Sequence, residues 1–235
     1  MGLAVFWEVS FIRKVNQKSG AKVLSFFGLM IITFTRKFKN FTPDHQYFKR
    51  IPVNNIMKFL KNDELGRPGL NEFRNQEKMP VTIVLDNVRS GLNVGSIFRT
   101  ADSFNAGHIM LCGITSQPPE RDILKSALGA TESVSWKYYD TTESALRELK
   151  ESGYKIYAVE QGNPSISLEV FNAFADEKYA LVFGNEVKGV SESLIPLLDG
   201  CIEIPQSGIK HSLNISVCAG VVLWKFYEHL MLGKA

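Results

Sequence analysis

An open α/β domain, with a parallel sheet covered by helices on both faces, is the fold class this sequence predicts, on three observations. Short apolar runs rich in β-branched residues alternate with amphipathic segments, the pattern that parallel strands and their crossover helices leave in a chain. The run at 81–85, VTIVL, is apolar and β-branched almost throughout rather than at alternate positions, as a strand buried on both faces requires. Polar, glycine-containing clusters follow such runs, and in open α/β sheets ligands gather at the carboxyl ends of strands.

In chain order, 81–85 is the first strand, and 93–104 follows as a helix with Ile97, Ala101 and Phe104 at helical spacing. Residues 108–112 form the next strand, and 142–152, TESALRELKES, is an amphipathic helix. Strands at 154–159, 179–183 and 201–204 and helices at 191–198 and 212–232 complete the series. At 235 residues the chain accommodates one substantial domain and a short appendage.

Residues 1–56 are set apart by charge. They carry nine Lys/Arg against Glu8 and Asp44, a balance of +7, whereas 57–235 carries 18 basic against 22 acidic residues, a balance of −4. The 12-residue apolar run at 23–34, VLSFFGLMIITF, is too short to span a bilayer and has the length of a signal-peptide core, but no small-x-small cleavage site follows it. Three readings stand for this extension: sequence upstream of a natural start at Met57, a membrane or targeting segment, or an element packing on the domain. The main domain is placed at 57–235.

Composition narrows the chemistry. Cys112, Cys201 and Cys218 are odd in number and form no CxxC pair, so neither a zinc site nor a disulfide framework is expected, and a reducing cytoplasm fits. The four histidines show no HxxxH spacing, so no metal is expected. The acidic balance of 57–235 means that any nucleic-acid binding there rests on a local patch.

The first cluster is DNVRSGLNVGSIFRTAD, 86–102. It passes from strand to helix, where Asn93 reads either as an N-cap or as a site residue and Arg99 as a solvated or a functional cation; it contains no GxGxxG and no P-loop. The second, FGNEVKGVSESL at 183–194, places Gly184 and Glu186 just past a buried strand, with glycine allowing close backbone approach by a ligand. The third, CIEIPQSGIKHSLNISVCAGVVLW at 201–224, turns at Pro205 and Gly208 and opens an apolar helix at Ser212 or Asn214. Hydrolase chemistry has little support in it: Ser207 and Lys210 match SxxK, but Gly208 opposes the helix that this pairing needs. Ser216 and Cys218 read as packing residues.

These clusters contain NVGSIFRTAD, LVFGNEVKGVSESL and IEIPQSGIKHSLNISVCAGVVLW in order, and with them the sequence resembles the SpoU (TrmH-like) branch of the SPOUT RNA methyltransferases over residues 57–235. The resemblance implies a C-terminal trefoil knot, a homodimer, and S-adenosylmethionine as cofactor, held by Gly184, Ile204 and Leu213 largely through backbone groups. It implies Asn93, Arg99, Glu186, Ser212 and Asn214 as the catalytic set, and methylation of a ribose 2′-hydroxyl in tRNA or rRNA.

A methyl group on a sulfonium is already activated, so the chain's task is to align the hydroxyl and assist loss of its proton. A guanidinium stays protonated; Arg99 is therefore expected to hold the target phosphate or developing alkoxide, positioned by Asn93 and Glu186, while Ser212 and Asn214 shape the cofactor turn. Many relatives carry an N-terminal RNA-binding domain, for which 57–80 is too short. Substrate capture then falls to the catalytic domain, with Lys188, Lys210 and His211 as the RNA-binding residues. The other class of reading is a SPOUT-like module that binds RNA or adenosylmethionine without catalysis.

Overall fold

A computed structural model of the chain describes residues 58–210 and 212–233; the expected extension at 1–56 and His211 lie outside the described residues. The chain divides into two units at Leu65 and Gly66. In the first, Lys58 pairs with Glu64 beside a short 3₁₀ turn, Asn62–Leu65.

In the second unit the elements run α1 (Leu70–Asn75), β1 (Met79–Asp86), α2 (Gly91–Ser103), β2 (Ala106–Cys112), α3 (Arg121–Ala127), α4 (Ala130–Ser133), β3 (Trp136–Tyr139), α5 (Thr142–Glu151), β4 (Tyr154–Val159), β5 (Ile166–Ser167), β6 (Lys178–Phe183), a 3₁₀ helix (Glu192–Leu197), β7 (Gly200–Glu203) and α6 (Ile215–Tyr227), which continues as a π-helical turn, Glu228–Leu232. The seven strands form one sheet in the order β3-β2-β1-β6-β4-β7-β5, and every pairing is parallel. The expected open α/β class is what the chain adopts.

The near-complete burial of β1 is explained by its central place between β2 and β6. Successive side chains point to opposite faces, so Ile83 and Leu85 enter one core cluster with α2 and α6, while Val84 enters a second with α5. The segment Ile215–Leu232 is long and apolar enough to cross a membrane by composition. Its Ala219, Val222, Leu223, Phe226 and Leu230 are instead buried in the first core cluster, and the helix packs on α2.

Several expected elements shift for local reasons. The helix expected from Asn93 begins at Gly91, because Ser90 and not Asn93 is its N-cap: Ser90 Oγ accepts the Asn93 N–H at 3.3 Å. The helix expected from Ser212 begins at Ile215, capped by Asn214. The segment expected as a helix at 191–198 is 3₁₀ over Glu192–Leu197 with Pro196 inside, and proline has no N–H for an α-helical ladder. Strands β3 and β5 and helices α1, α3 and α4 are additional to those the sequence indicated.

Candidate active site

The chain places its polar clusters at one end of the sheet because parallel strands all present their carboxyl ends on the same side. The order passes from β1 directly to β6, so the loop after β1 and the loop after β6 stand side by side. Asp86, buried at the end of β1, ties them down. Its Oδ1 accepts from Thr142 Oγ1 at 2.6 Å and from Asn87 Nδ2 at 2.8 Å, and its Oδ2 accepts the Ser191 N–H at 2.8 Å. Asn185 Nδ2 donates to the Asn87 carbonyl at 2.8 Å, a second link between the loops.

Glu186 spans the same gap. Its Oε1 accepts from the Ser90 N–H at 3.0 Å and from Asn93 Nδ2 at 3.2 Å, and its Oε2 accepts from the Arg89 N–H at 3.3 Å. The carboxylate thus sits at the N-terminus of α2, where backbone donors lack helical partners and negative charge is favoured. Partial burial pushes its pKa up, but hydrogen bonds from its own backbone, Ser90, Arg89 and Asn93 outweigh that and hold it below the ordinary carboxylate value.

Asn214 brings in the third cluster. Its Nδ2 donates to Asn93 Oδ1 at 3.2 Å, while its Oδ1 caps α6 by accepting the Ser216 N–H at 2.9 Å and the Ser216 hydroxyl at 2.7 Å. Of the five residues expected to be catalytic, the structure therefore joins Asn93, Glu186 and Asn214 into one chain of hydrogen bonds. Ser212 lines the adjoining cleft. Arg99 stands apart: it is exposed on α2, two helical turns less a residue beyond Asn93, or about 9 Å along the axis, and no hydrogen bond or ion pair ties its guanidinium to Asn93 or Glu186. The expectation that these two position Arg99 is corrected accordingly; their side chains are spent on each other and on the α2 terminus.

Beside this network lies a cleft of about 380 Å³, lined in part by Gly184, Ile204 and Leu213, all three expected at a cofactor. Gly184 is glycine for a reason other than the one the sequence suggested. A Cβ there would fall 2.1 Å from the backbone of Gly189 and Val190, so it is the loop itself, and not a ligand, that approaches. The loop closes by reciprocal backbone bonds between Asn185 and Gly189 at 3.0 and 2.9 Å, with Gly189 in the left-handed region at φ +71°. Lys188 and Lys210, expected at RNA, are exposed on the loops after β6 and β7.

Sequence reasoning passed over Glu160 and Gln206, which also line the cleft, as does Cys218, read from the sequence as a packing residue. Glu160 follows β4 as Glu186 follows β6, so a polar residue just past a buried strand was an available signal. Burial pushes the Cys218 thiol up to about 11, which keeps it protonated. Ser216, read as a packing residue, takes part in the Asn214 cap.

The sequence model of the SpoU rRNA Methylase family matches residues 80–224. An uncharacterized tRNA/rRNA methyltransferase of Synechocystis is 32% identical over 164 residues, which are 68% of this chain and 41% of that protein. The tRNA (guanosine(18)-2′-O)-methyltransferase TARBP1 of Mus musculus is 29% identical over 155 residues, 65% of this chain and 10% of that protein. Among solved structures, the AdoMet-bound rRNA methyltransferase of Sinorhizobium meliloti superposes with a TM-score of 0.61 at 26% identity, over 68% of this chain and 60% of that one. The chain thus spans well under half the length of both of these sequence relatives.

Proposed function

The chain belongs to the SpoU rRNA methylase family, and on that premise we propose that it is an S-adenosylmethionine-dependent RNA methyltransferase that methylates a ribose 2′-hydroxyl of tRNA or rRNA. The observation that carries this reading is that the second and third sequence clusters line one cleft at the carboxyl ends of β4, β6 and β7, and that the first is tied to its edge by Asn93, which bonds to Glu186 and Asn214. The mouse relative's name supports the 2′-O position, and the S. meliloti structure, with AdoMet bound, supports the cofactor.

The residues present fit that cofactor. A cleft of about 380 Å³ lies within the range of small-molecule sites. Phe183, Ile204 and Leu213 offer apolar walls, while Gln206, Asn185 and the carboxylates offer polar partners. When bound, the cofactor supplies a methyl group already activated on a sulfonium. Gly184, Ile204 and Leu213 hold it; the Asn214–Asn93–Glu186 chain fixes the mouth of the cleft; Ser212 and Asn214 shape the turn beside it. Arg99, whose guanidinium bonds to none of the cleft residues, takes the target phosphate or developing alkoxide. Lys188 and Lys210 contact the RNA backbone, together with His211.

The same reading includes the family's trefoil knot, supported by the way Ile204, Gln206 and Ser212 to Asn214 line one cleft with residues of the 184–189 loop. It includes a homodimer. Val217, Val221 and Trp224 lie at i, i+4 and i+7 on α6 and are 53%, 41% and 48% exposed, an apolar stripe of the kind that marks an interface. The free cysteines suit the cytoplasm.

The test is transfer of labelled methyl from S-adenosylmethionine to total tRNA and rRNA, followed by mapping of 2′-O-methyl sites in cells with and without the gene. One lost site, restored by the purified protein, is expected. Cofactor binding with no transfer to any RNA would instead make the chain a binding module.

A further inference from the structure

Glu160 has no part in the hydrogen-bond chain of Asn214, Asn93 and Glu186, yet it lines the cleft. It stands one residue beyond β4, whose neighbours are β6 on one side and β7 on the other. Continuing the register places it level with Gly184 of the β6 loop and Glu203 of β7: Ala158 pairs with Val182, and Val159 with Ile202. Its backbone is fixed by an N–H bond to the Ile202 carbonyl at 3.1 Å. Its side chain is fixed by the Gln161 N–H on Oε1 at 2.9 Å and, more weakly, by the Val190 N–H on Oε2 at 3.4 Å. The carboxylate lies so close to Gly189 that a Cβ there would come within 2.5 Å of Oε2. A carboxylate has about four acceptor positions, so each oxygen, already oriented by one bond, keeps capacity for another.

Resting on the cofactor reading above, we propose that Glu160 recognises the ribose of the adenosyl group through its two vicinal hydroxyls. The argument is chemical and topological. An ionised carboxylate only accepts, and a cis-diol presents two adjacent donors at the spacing of its two oxygens. An acidic side chain past a neighbouring parallel strand serves the same purpose in dinucleotide folds of different topology. Position agrees as well: Glu160 occupies the middle of the three strand ends around the cleft, and the ribose is the middle of adenosylmethionine, joining the base to the sulfonium arm.

The experiment is calorimetric titration of the full-length protein and its Glu160→Gln and Glu160→Ala variants with S-adenosylhomocysteine, its 2′-deoxy and 3′-deoxy analogues, and S-adenosylmethionine. Intact melting curves establish that both exposed-site variants fold. In the wild type, loss of either hydroxyl weakens binding by about 10- to 100-fold, the range for a hydrogen bond to a charged group. In Glu160→Ala the parent ligand is weakened by a similar factor, and the deoxy analogues then bind as well as the parent. If the deoxy penalty persists undiminished in both variants, the ribose is held elsewhere and the proposal fails. It fails equally if the variants weaken S-adenosylmethionine while leaving S-adenosylhomocysteine unchanged, since the carboxylate then acts by charge on the sulfonium. Absence of binding by the wild type to every one of these ligands would overturn the cofactor reading itself.

Discussion

Asn214 on the approach to α6 donates to Asn93 on α2 at 3.2 Å, closing a contact between residues 121 positions apart in the chain. The direction of that bond is fixed at both ends. Asn214 Oδ1 is occupied by the Ser216 N–H, an obligate donor, so its amide nitrogen is what faces Asn93. Asn93 in turn gives its own amide nitrogen to Glu186, an obligate acceptor when ionised. Helix cap, amide and carboxylate thus form a one-way relay that holds two helix N-termini and the β6 loop at the cleft.

Replacing Asn93 with Asp tests the relay with almost no change of shape. The new carboxylate still accepts from Asn214, but it cannot donate to Glu186 and confronts it as a like charge. At pH 7.5 Asn93→Ala loses both hydrogen bonds, each worth about 1 kcal/mol, and Asn93→Asp only the one to Glu186, yet Asn93→Asp is expected to melt lower because it sets a second carboxylate against Glu186. As pH falls toward about 5 the order reverses, because two adjacent carboxyls share a proton and one of them titrates high. Melting curves of both variants across that range check this; a constant order would show that the two side chains do not meet.

Glu186 itself gives a second pH signature. Its carboxyl sits below the ordinary value in the folded protein, so the unfolded chain takes up its proton first as pH falls. The stabilisation is therefore complete above about pH 4.3, the unfolded value, and is lost as pH drops through the lower folded value. Wild type is expected to melt above Glu186→Gln at pH 7, and the gap to close below about pH 4. A gap that widens on acidification would contradict the sign.

Much of the fold was legible because its central strands are largely buried on both faces: the run at 179–183 is apolar throughout, and those at 81–85 and 154–159 are interrupted only by Thr82 and Lys155. The edge strands do not stand out in this way. Trp136–Tyr139 pairs only with β2, and Ile166–Ser167 only with β7, so neither needs a continuous apolar run, and Lys137 in the first is exposed. At the site, the motif residues were readable as local patterns beside strand ends. What could not be read is which of them touch. Asn93 and Asn214 meet only because α2 and α6 pack on one face of the sheet, and Arg99 lies off the network because it stands six residues further along α2.

Gly184→Ala isolates the loop that borders the cleft. The added methyl would sit 2.1 Å from main-chain atoms of Gly189 and Val190, and backbone has no rotamer by which to yield. Destabilisation of about 1–3 kcal/mol is expected from the overpacking, with loss of S-adenosylhomocysteine binding in calorimetry. A variant that binds normally would mean that the Asn185–Gly189 closure does not shape the cleft.

The proposed dimer is open to a single charged substitution. Val221 is in the exposed apolar stripe, between Val217 and Trp224, so arginine there leaves the buried face of α6 intact. Sedimentation of wild type at micromolar concentration is expected to give a dimer and of Val221→Arg a monomer with an unchanged melting profile in dilute solution. A dimer that survives the substitution would place the interface elsewhere.

The role proposed for Arg99 is open to a pair of substitutions. Because its guanidinium is exposed and bonded to none of the cleft residues, Arg99→Ala is expected to alter stability by less than about 0.5 kcal/mol and to leave cofactor affinity within about twofold. Methyl transfer, in contrast, is expected to fall by about 100-fold or more, as when a donor to developing negative charge is removed. Arg99→Lys separates charge from geometry: lysine keeps the positive charge and loses the planar fork, so activity remaining near the alanine level assigns the role to bidentate contact, and recovery to near wild type assigns it to charge alone. Normal turnover by Arg99→Ala would remove Arg99 from the mechanism and leave Asn93, Glu186, Ser212 and Asn214 to align the hydroxyl.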